Sequence, residues 1–590
     1  MKRTLLILSL AGISVLPAVA QPLPKGPTEL RISQTSQADK KFEGLASRFL
    51  EDFLRLNPES ATILGDHRFD AQWSDMSPAG MARLRDFYAQ TLARVNGLNL
   101  AELQPANRVD AEILKTNAEA ALFTLDELKE YQWNPLIYNP GPGLFALLAR
   151  DYGPLDQRLE ALASRLRGIE QLVAAARVNL KNPPRIHTET AIGQNKGVLA
   201  WLKSDLDGQL PKDSTARPAL REARDQAVKS MEAYQEWLEK DLLPRSKGQF
   251  RLGATLYRKK LAFTLESDFT AEEIMARAQR DLKVTHAEMT SVARSLYPQL
   301  FGQEPGQLTS RELCKAVLDR LAEQHPDNTT ILQQAREDLV RASRFVESER
   351  LMSVPPEECK VIEMPEFNRG VAVAYCDSPG PLEKKGETFY AIAPTPTDWT
   401  AERVESFYRE YNFAMLDNLT VHEAMPGHFL QLMHANRFKA PTRLRSVFQS
   451  GTFVEGWATY AEQLMAAHNY GGPQVRMQQL KMRLRLILNS MIDQKIHVGT
   501  MSEGACKKLL LEEGFQEEGE AAGKWRRACL TSTQLSTYFV GNCEVNEISH
   551  DYAKLHPELS VLQLHDRILS FGSPAPRYIR RLLGLGPAGK

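Results

Sequence analysis

The sequence has no excess of charge of either sign, since 73 lysines and arginines balance 73 aspartates and glutamates among its 590 residues. It also lacks a concentrated Lys/Arg tract, so it has no electrostatic signature of a protein that binds nucleic acid or anionic membrane. Hydrophobic residues make up 43% and charged residues 25%, which excludes a mostly disordered or fibrous chain. The composition predicts a large folded protein, and it holds no signal for an oligomeric state.

Long apolar runs are absent after the N-terminus, so no later segment is expected to insert stably in a membrane. The first residues, MKRTLLILSLAGISVLPAVA, combine two basic residues, an apolar run over 5–16 and the small residues Ala18-Val19-Ala20. This pattern predicts a signal peptide over 1–20, cleavage near Ala20 and export to the periplasm or beyond. An uncleaved anchor is the alternative, but the run is short and Pro17 interrupts it. No cysteine follows the cleavage site, so lipid attachment there is not indicated.

Cysteine is scarce, and no two cysteines form a C-x-x-C pair, which disfavours a cysteine zinc site or a thioredoxin-like centre. The six residues are Cys314, Cys359, Cys376, Cys506, Cys529 and Cys543. Export allows them to oxidise, although so few in a large chain can equally be unpaired core residues. Cys359 and Cys376 are the best candidates for a disulfide because they flank a predicted pair of strands.

Helical periodicity covers most of the chain and predicts a mostly α fold. Thr270 with Glu273, and Thr309 with Glu312, have the capping-box spacing that begins a helix. Further amphipathic helices are predicted over 77–95, 155–180, 215–242, 327–347, 401–438, 453–469 and 476–497.

Short β-prone runs separated by proline and glycine interrupt this pattern between Cys359 and Pro394, which predicts a small antiparallel sheet inserted in the helical body. The chain has no internal repeat and no long linker. We therefore predict only an approximate boundary near residue 350, between an N-terminal helical part (21–350) and a C-terminal part that contains the candidate site (351–590).

The stretch TVHEAMPGHFLQ, residues 420–431, contains His422-Glu423 and then His428. The zinc-peptidase pattern H-E-x-x-H places its two histidines four positions apart, whereas a separation of six positions on a regular helix would turn the two side chains about 120° apart. Pro426 lacks an N–H and clashes with the carbonyl of His422, and Gly427 permits unusual dihedral angles. We therefore expect a helix that starts near Asp398 or Thr400 to kink or bulge, turning both imidazoles towards one metal ion.

A hydrolytic zinc site needs three protein ligands and one open position. The stretch GTFVEGWATYAEQLM supplies Glu455, and Glu462 follows two helical turns later on nearly the same face. We assign Glu455 to the metal and Glu462 to the orientation of a ligand or a water. The two glutamates could exchange these roles.

Glu423 is adjacent to a ligand and is the candidate general base. Tyr538 and His497 are candidates for the hydrogen-bond donor to the oxyanion, and each could equally be structural. A lone His-Glu pair is common, so the proline-glycine interruption is what strengthens the metal interpretation. His434, six residues after His428 with no proline between, is expected to be a surface or packing residue, and Trp457 and Tyr460 to be core residues.

HEAMPGHFLQ, FVEGWATYAEQL, DQKIH, TSTQLSTYFVG and LHDRILSFGSPAP together resemble the DUF885 family, which is grouped with the gluzincin-type metallopeptidases. PESATILGDHRFD near residue 58, ETAIGQNKG near 189 and FRLGATLYRKKL near 250 extend the resemblance over nearly the whole mature chain. The resemblance implies a helical metallopeptidase fold with a deep channel and one zinc ion. It implies His422, His428 and Glu455 as ligands and Glu423 as base.

The sequence therefore predicts an exported zinc metallopeptidase that hydrolyses peptides with a zinc-bound water activated by Glu423. One alternative is a zinc hydrolase that acts on a non-peptide amide or ester. Another is a catalytically inert peptide-binding protein on the same scaffold, although binding alone does not require a base beside the metal.

Overall fold

A computed structural model describes residues 36–206, 208, 217–364, 373–383, 386–396 and 399–586. The predicted signal peptide and its cleavage site lie outside these residues. The described chain is mostly α-helical with one small sheet, which confirms the predicted fold class. The deep channel and the division near residue 350 stay predictions.

The helices of the N-terminal part are α1 Gln37–Leu56, α2 Pro58–Leu64, α3 Pro78–Asn96, α4 Pro105–Phe123, α5 Gly141–Ala149, α6 Leu155–Asn179, α7 Arg185–Ala200, α8 Arg217–Trp237, α9 Leu243–Arg245, α10 Gly253–Leu265, α11 Ala271–Phe301, α12 Ser310–Leu321 and α13 Ile331–Ser348. The elements of the C-terminal part are β1 Cys359–Glu363, β2 Ala374–Asp377, β3 Thr388–Ile392, α14 Ala401–Glu410, α15 Phe413–Glu423, α16 His428–Arg437, α17 Leu444–Val447, α18 Gly451–Ala467, α19 Gly472–His497, α20 Glu503–Gly514, α21 Glu518–Leu530, α22 Ser536–Leu555, α23 Val561–Leu569 and α24 Pro576–Leu582.

Helix starts follow the predicted capping chemistry. Thr270 and Thr309 each accept a hydrogen bond from the backbone of the glutamate three residues on, so both capping boxes are confirmed. The helix predicted over 401–438 is wrong as one element. It begins after Thr400 but is broken at residues 411–412, where the Asn412 side chain caps α15, and again after Glu423.

The sheet has strand order β1-β3-β2, and the prediction that it is antiparallel is only half right. β2 pairs antiparallel with β3, with Cys376 opposite Tyr390, whereas β1 pairs parallel with β3, with Cys359 opposite Thr388. The mixed pairing arises because β3 lies between the other two strands and β2 runs opposite to both. As a consequence β2 is an edge strand.

The predicted disulfide between Cys359 and Cys376 is wrong, because all six cysteines are free. The two residues lie on β1 and β2, which are separated by β3. Strands spaced about 4.8 Å apart place such residues beyond the roughly 7 Å that a disulfide can bridge between Cα atoms.

The hydrophobic core crosses the predicted boundary near residue 350. Buried residues of α10 and α11 pack with α19 and α22, and Leu444 packs among the buried residues of α1, α3 and α4. The helices around the histidine motif therefore rest on both parts of the chain. None of the described helices combines the length and the apolarity that crossing a bilayer requires.

Candidate metal centre

A break in the helix, and not a bulge within it, brings the two histidines of the motif together. α15 ends at Glu423 and α16 begins at His428. Gly427 packs so closely that its N–H donates to the carbonyl of Val421 at 2.9 Å, and a Cβ at this position would lie 1.9 Å from the carbonyl oxygen of His422. Only glycine fits here, and Pro426 cannot supply the N–H that a continuing helix requires.

Trp457 of α18 holds this connection in place. Its side chain is fully buried, and its Nε1 donates to the carbonyl oxygen of Pro426 at 2.9 Å. Trp457, which we predicted to be a core residue, therefore also fixes the connection between α15 and α16. Because Glu455 lies two residues earlier on the same helix, this hydrogen bond positions α18 against the connection between the two histidines.

His422, His428 and Glu455 converge on one point. The two imidazole rings have centroids 4.7 Å apart and are nearly perpendicular. Oε2 of Glu455 lies 3.6 Å from Nε2 of His422 and 3.5 Å from Nε2 of His428. One ligand atom from each residue falls within 4.8 Å of the others, so the structure assembles the three predicted ligands.

The spacing of these atoms fits a tetrahedral zinc ion better than direct hydrogen bonds. Zinc binds histidine nitrogen and carboxylate oxygen at about 2.0–2.1 Å, which places tetrahedral ligand atoms about 3.3 Å apart. Oε2 of Glu455 is buried and has no hydrogen-bond partner among the described residues. A buried carboxylate oxygen without a partner is costly, and a cation between it and the two imidazoles would satisfy it.

Glu462 orients the first histidine from the other side. Its Oε1 lies 2.7 Å from Nδ1 of His422, and its Oε2 accepts a hydrogen bond from Nδ2 of Asn418 at 2.7 Å. An ionised carboxylate only accepts, so Nδ1 carries a proton, and Nε2 is the ring nitrogen that can offer its lone pair to a metal ion beside Glu455. The geometry therefore puts Glu455, and not Glu462, with the two histidines.

The electrostatics of the centre favour positive charge. Burial alone would lower the pKa of His422, yet the neighbouring carboxylates of Glu455 and Glu462 raise it well above its usual value. Burial alone would raise the pKa of Glu455, but the two imidazoles hold it well below its ordinary range. Three carboxylates, those of Glu423, Glu455 and Glu462, surround this pair of rings, so the site attracts a cation.

Glu423 is fixed by the edge strand of the sheet. The backbone N–H of Cys376 in β2 donates to Oε2 of Glu423 at 3.1 Å, while Oε1 accepts no hydrogen bond from a described residue. The Cys376 thiol is buried, and burial raises its pKa well above the usual value. It therefore remains a neutral thiol, and Glu423 is the group here that can accept a proton.

Tyr538 is carried on α22, which crosses the helix of Glu455, α18, at two glycines. A Cβ on Gly456 would meet the backbone of Gly541 at 2.4 Å, so the helices touch backbone to backbone. Tyr538 precedes Gly541 by one turn of α22. Burial raises its pKa to about 12, and the nearby Glu455 carboxylate adds to this effect. The Tyr538 hydroxyl therefore keeps its proton at neutral pH, and its pKa responds to the charge of Glu455, a candidate metal ligand.

His497 is held away from this cluster by its own contacts. It ends α19 in the core, where it is 2% exposed and stacks on Tyr257 with ring centroids 6.0 Å apart. Its Nε2 lies 2.8 Å from the carbonyl oxygens of Ala528 and Thr531. These contacts give His497 a packing role, and none of them joins it to His422, His428 or Glu455.

Two groups at the centre were not found from the sequence. Asn418 lies one helical turn before His422, so the i, i+4 spacing carries a weak signal for it. The Cys376 N–H carries no sequence signal, since every residue except proline has one. Nε2 of His434 donates to the carbonyl oxygen of Ser353 at 2.9 Å, in keeping with the interpretation of His434 as a packing residue.

Comparisons with known proteins agree on the fold and leave the activity open. The model of a family described as "Bacterial protein of unknown function (DUF885)" matches residues 58–583. The structure of a protein from Shewanella oneidensis, named as a lipoprotein of unknown function, is similar at 29% identity and a TM-score of 0.77, covering 92% of this chain and 99% of its own. A protein named as a lipoprotein from Colwellia psychrerythraea has the same TM-score at 15% identity, covering 93% and 99%. No curated protein matches the sequence.

Proposed function

Because this chain belongs to the DUF885 family, whose description leaves its activity open, we propose a function from the chemistry of the centre. The protein is an exported, zinc-dependent metallopeptidase that hydrolyses peptide bonds. The observation that carries this proposal is the convergence of His422, His428 and Glu455 on one point, with a glutamate directly after the first histidine.

The two imidazoles and Glu455 would hold the ion, which when bound supplies a Lewis acid and lowers the pKa of a bound water to about 7. Glu423 is the general base in this mechanism. Its Oε2 is held by the Cys376 N–H, which leaves Oε1 to take a proton from the attacking water. The same carboxyl group then delivers that proton to the leaving amine.

Tyr538 is the proposed donor to the oxyanion. Its hydroxyl oxygen accepts a hydrogen bond from Nη2 of Arg527 at 3.1 Å, so its own proton remains available for donation. A pKa of about 12 keeps that proton in place at neutral pH. The packing of His497 speaks against the other candidate, since its Nε2 is already used by backbone carbonyls.

The outer edge of β2 supports a peptide as the substrate. Ala393 donates to the carbonyl of Val373 at 2.8 Å, so hydrogen bonds to β3 alternate along β2 and the N–H of Cys376 points away from the sheet. This outward edge lies against Glu423. An extended peptide that paired with it would have its backbone beside the general base.

Export is proposed on two grounds. The first 20 residues have the pattern of a cleaved signal peptide. The similar protein from Shewanella oneidensis is named as a lipoprotein, a class of exported protein.

A peptide pool incubated with the protein tests the proposed activity. We expect the zinc-loaded protein to cleave peptides, a chelator to abolish cleavage and added zinc to restore it, as followed by mass spectrometry. Glu423→Gln should retain zinc and the fold but lose turnover by about 10²-fold or more, because the base is gone. Glu402→Gln, which changes an exposed glutamate of α14, is the matched control and should keep full activity.

Full turnover by Glu423→Gln would contradict the proposed role of that residue. If the zinc-loaded protein cleaved a panel of non-peptide amides and esters but no peptide, the substrate class would be wrong. Peptide binding without hydrolysis of any substrate would instead favour the inert binding protein.

A further inference from the structure

Two basic side chains on α21, one of which contacts the proposed oxyanion donor, lack an acidic partner among the described residues. Lys524 and Arg527 are three residues apart and therefore lie on one face of the helix. Nη2 of Arg527 donates to Oε1 of Gln534 at 2.9 Å and to the hydroxyl of Tyr538 at 3.1 Å, and both partners are neutral. Among the described residues, no carboxylate forms an ion pair with Arg527 or Lys524.

The carboxylates near Lys524 are already bound to other cations. Glu520 pairs with Arg485, and Glu410 pairs with Lys481 at 2.8 Å. Lys524 is only 5% exposed, yet no hydrogen bond joins its ammonium group to a described residue. Burial and the adjacent Arg485 hold the pKa of Lys524 well below its usual value. An anion that reached this amine would favour its protonated, charged form.

Arg527 is linked to the candidate metal centre through Tyr538. Arg527 contacts the hydroxyl of Tyr538, and that hydroxyl is near enough to Glu455 for the carboxylate to raise its pKa. Arg527 is itself exposed to solvent, so a ligand can approach it. A substrate group bound by Arg527 would therefore lie next to Tyr538, on the helix that crosses the helix of Glu455.

We propose that Arg527 and Lys524 form an anion-binding subsite that holds a carboxylate of the substrate beside the bond to be cleaved. Arginine presents a planar fork that matches a carboxylate, and the buried lysine adds a point charge behind it. The carboxylate is either the C-terminus of a peptide or the side chain of an aspartate or glutamate. This inference rests on the proposed peptidase function and names its substrate class.

Binding of labelled peptides, measured apart from turnover, tests the subsite. The probes are three pools of N-terminally fluorescent pentapeptides: one with free C-terminal carboxylates, one amidated, and one amidated with a glutamate at one fixed position. The full-length mature protein carries Glu423→Gln so that bound peptides stay intact, and fluorescence anisotropy reports affinity. We expect a pool that carries a carboxylate to bind about ten-fold more tightly than the plain amide pool.

Variants of Arg527 and Lys524 show which side chain binds the carboxylate. Arg527→Gln should weaken binding of the preferred pool about ten-fold and leave the amide pool unchanged, and Lys524→Met should act in the same direction. Arg527→Lys should restore part of the preference. Arg526→Gln is the matched control, because Arg526 is the neighbouring exposed arginine and its Nη2 contacts Thr190 of α7. A change in Tyr538 position alone would affect all pools equally.

Either carboxylate-bearing pool can support the proposal, and the better one identifies the source of the carboxylate. Equal affinity for the three pools, no measurable binding of any pool, or a preference that survives in both Arg527→Gln and Lys524→Met would overturn it. Failure of the peptidase proposal is a separate result, since it appears as absence of cleavage by the zinc-loaded protein with Glu423 intact.

Discussion

His422 is the residue on which the candidate centre depends, because carboxylates contact both of its ring nitrogens. Nδ1 lies 2.7 Å from Glu462, and Nε2 faces Glu455 at 3.6 Å. Glu462 is in turn held by Asn418. This chain of contacts selects one tautomer of the imidazole before any ion binds, and such outer contacts tune metal affinity.

At the residue scale we expect Glu462→Gln to raise the dissociation constant for zinc by about 10- to 100-fold. The amide keeps the shape of the side chain but removes the charge that orients the Nδ1 proton of His422. Competition with a chromophoric chelator measures the constant. Gln463→Ala changes the next residue, whose amide oxygen accepts from Asn542 and Asn546 of α22. It should leave zinc affinity unchanged, and an equal loss in both variants would contradict the assigned role.

At the scale of elements, the centre is built where two helices cross and one helix breaks. Gly456 and Gly541 let α18 and α22 touch through their backbones, which brings Tyr538 near enough to Glu455 for the carboxylate to raise the pKa of the tyrosine. Gly427 lets the chain fold back on the end of α15. Small residues are needed in both places because a single Cβ would separate the elements that carry the functional side chains.

We expect Gly456→Ala to lower the free energy of unfolding by about 1–3 kcal/mol, because the added methyl group overpacks the crossing. Peptide cleavage should fall as well, since α22 carries Tyr538 away from Glu455. Gly523→Ala is the control: this glycine lies in α21 with open space around its Cβ position, and alanine there should stabilise the protein by about 0.4–1 kcal/mol. Denaturant unfolding followed by circular dichroism measures the free energy of unfolding of both variants. An unchanged free energy of unfolding in Gly456→Ala would contradict the close crossing of α18 and α22.

At the scale of the whole molecule, a hydrogen-bond network joins the N-terminal part to the sheet beside Glu423. Nδ1 of His67 lies 3.0 Å from Asp70, and its Nε2 lies 2.7 Å from Glu383, in the connection between β2 and β3. The backbone N–H of Leu382 in the same connection donates to the carbonyl of Leu64 at 2.8 Å. The stretch PESATILGDHRFD thus supports the segment that follows the strand holding Glu423.

We expect the stability contributed by His67 to depend on pH. Both ring nitrogens face carboxylates, so both bonds need a protonated ring. Burial alone would lower the pKa of His67, but Asp70 and Glu383 raise it above its usual 6.5. This stabilisation is therefore complete below about pH 6.5 and is lost as pH rises through the folded-state pKa. His67→Gln should lower the thermal midpoint more at about pH 6 than at about pH 10.

A double-mutant cycle checks that the effect belongs to this contact. His67→Gln with Glu383→Gln should cost less at about pH 6 than the sum of the two single changes, because the singles remove one shared interaction. Additive losses, or a loss from His67→Gln that is the same at both pH values, would contradict a charged His67–Glu383 pair.

The residues of the candidate centre and most helices were predictable from the sequence, because helical periodicity, capping boxes and the proline-glycine pair are local signals. The two histidines and Glu455 were found from spacing together with the rule that zinc needs three ligands. Glu462 was found from its two-turn separation. The strands between Cys359 and Pro394 were also predictable from local signals, but their order in the sheet and their mixed direction were not.

The sequence by itself determined which segments are helical, that Pro426 must end a regular helix, and which few side chains can bind a metal, since each follows from backbone chemistry within a few residues. Only the tertiary structure decided that the helix breaks, that a strand amide holds Glu423, that His497 is packed elsewhere, and that Arg527 contacts Tyr538. These outcomes depend on contacts between segments tens to hundreds of residues apart, and such contacts are set by packing and not by local propensity.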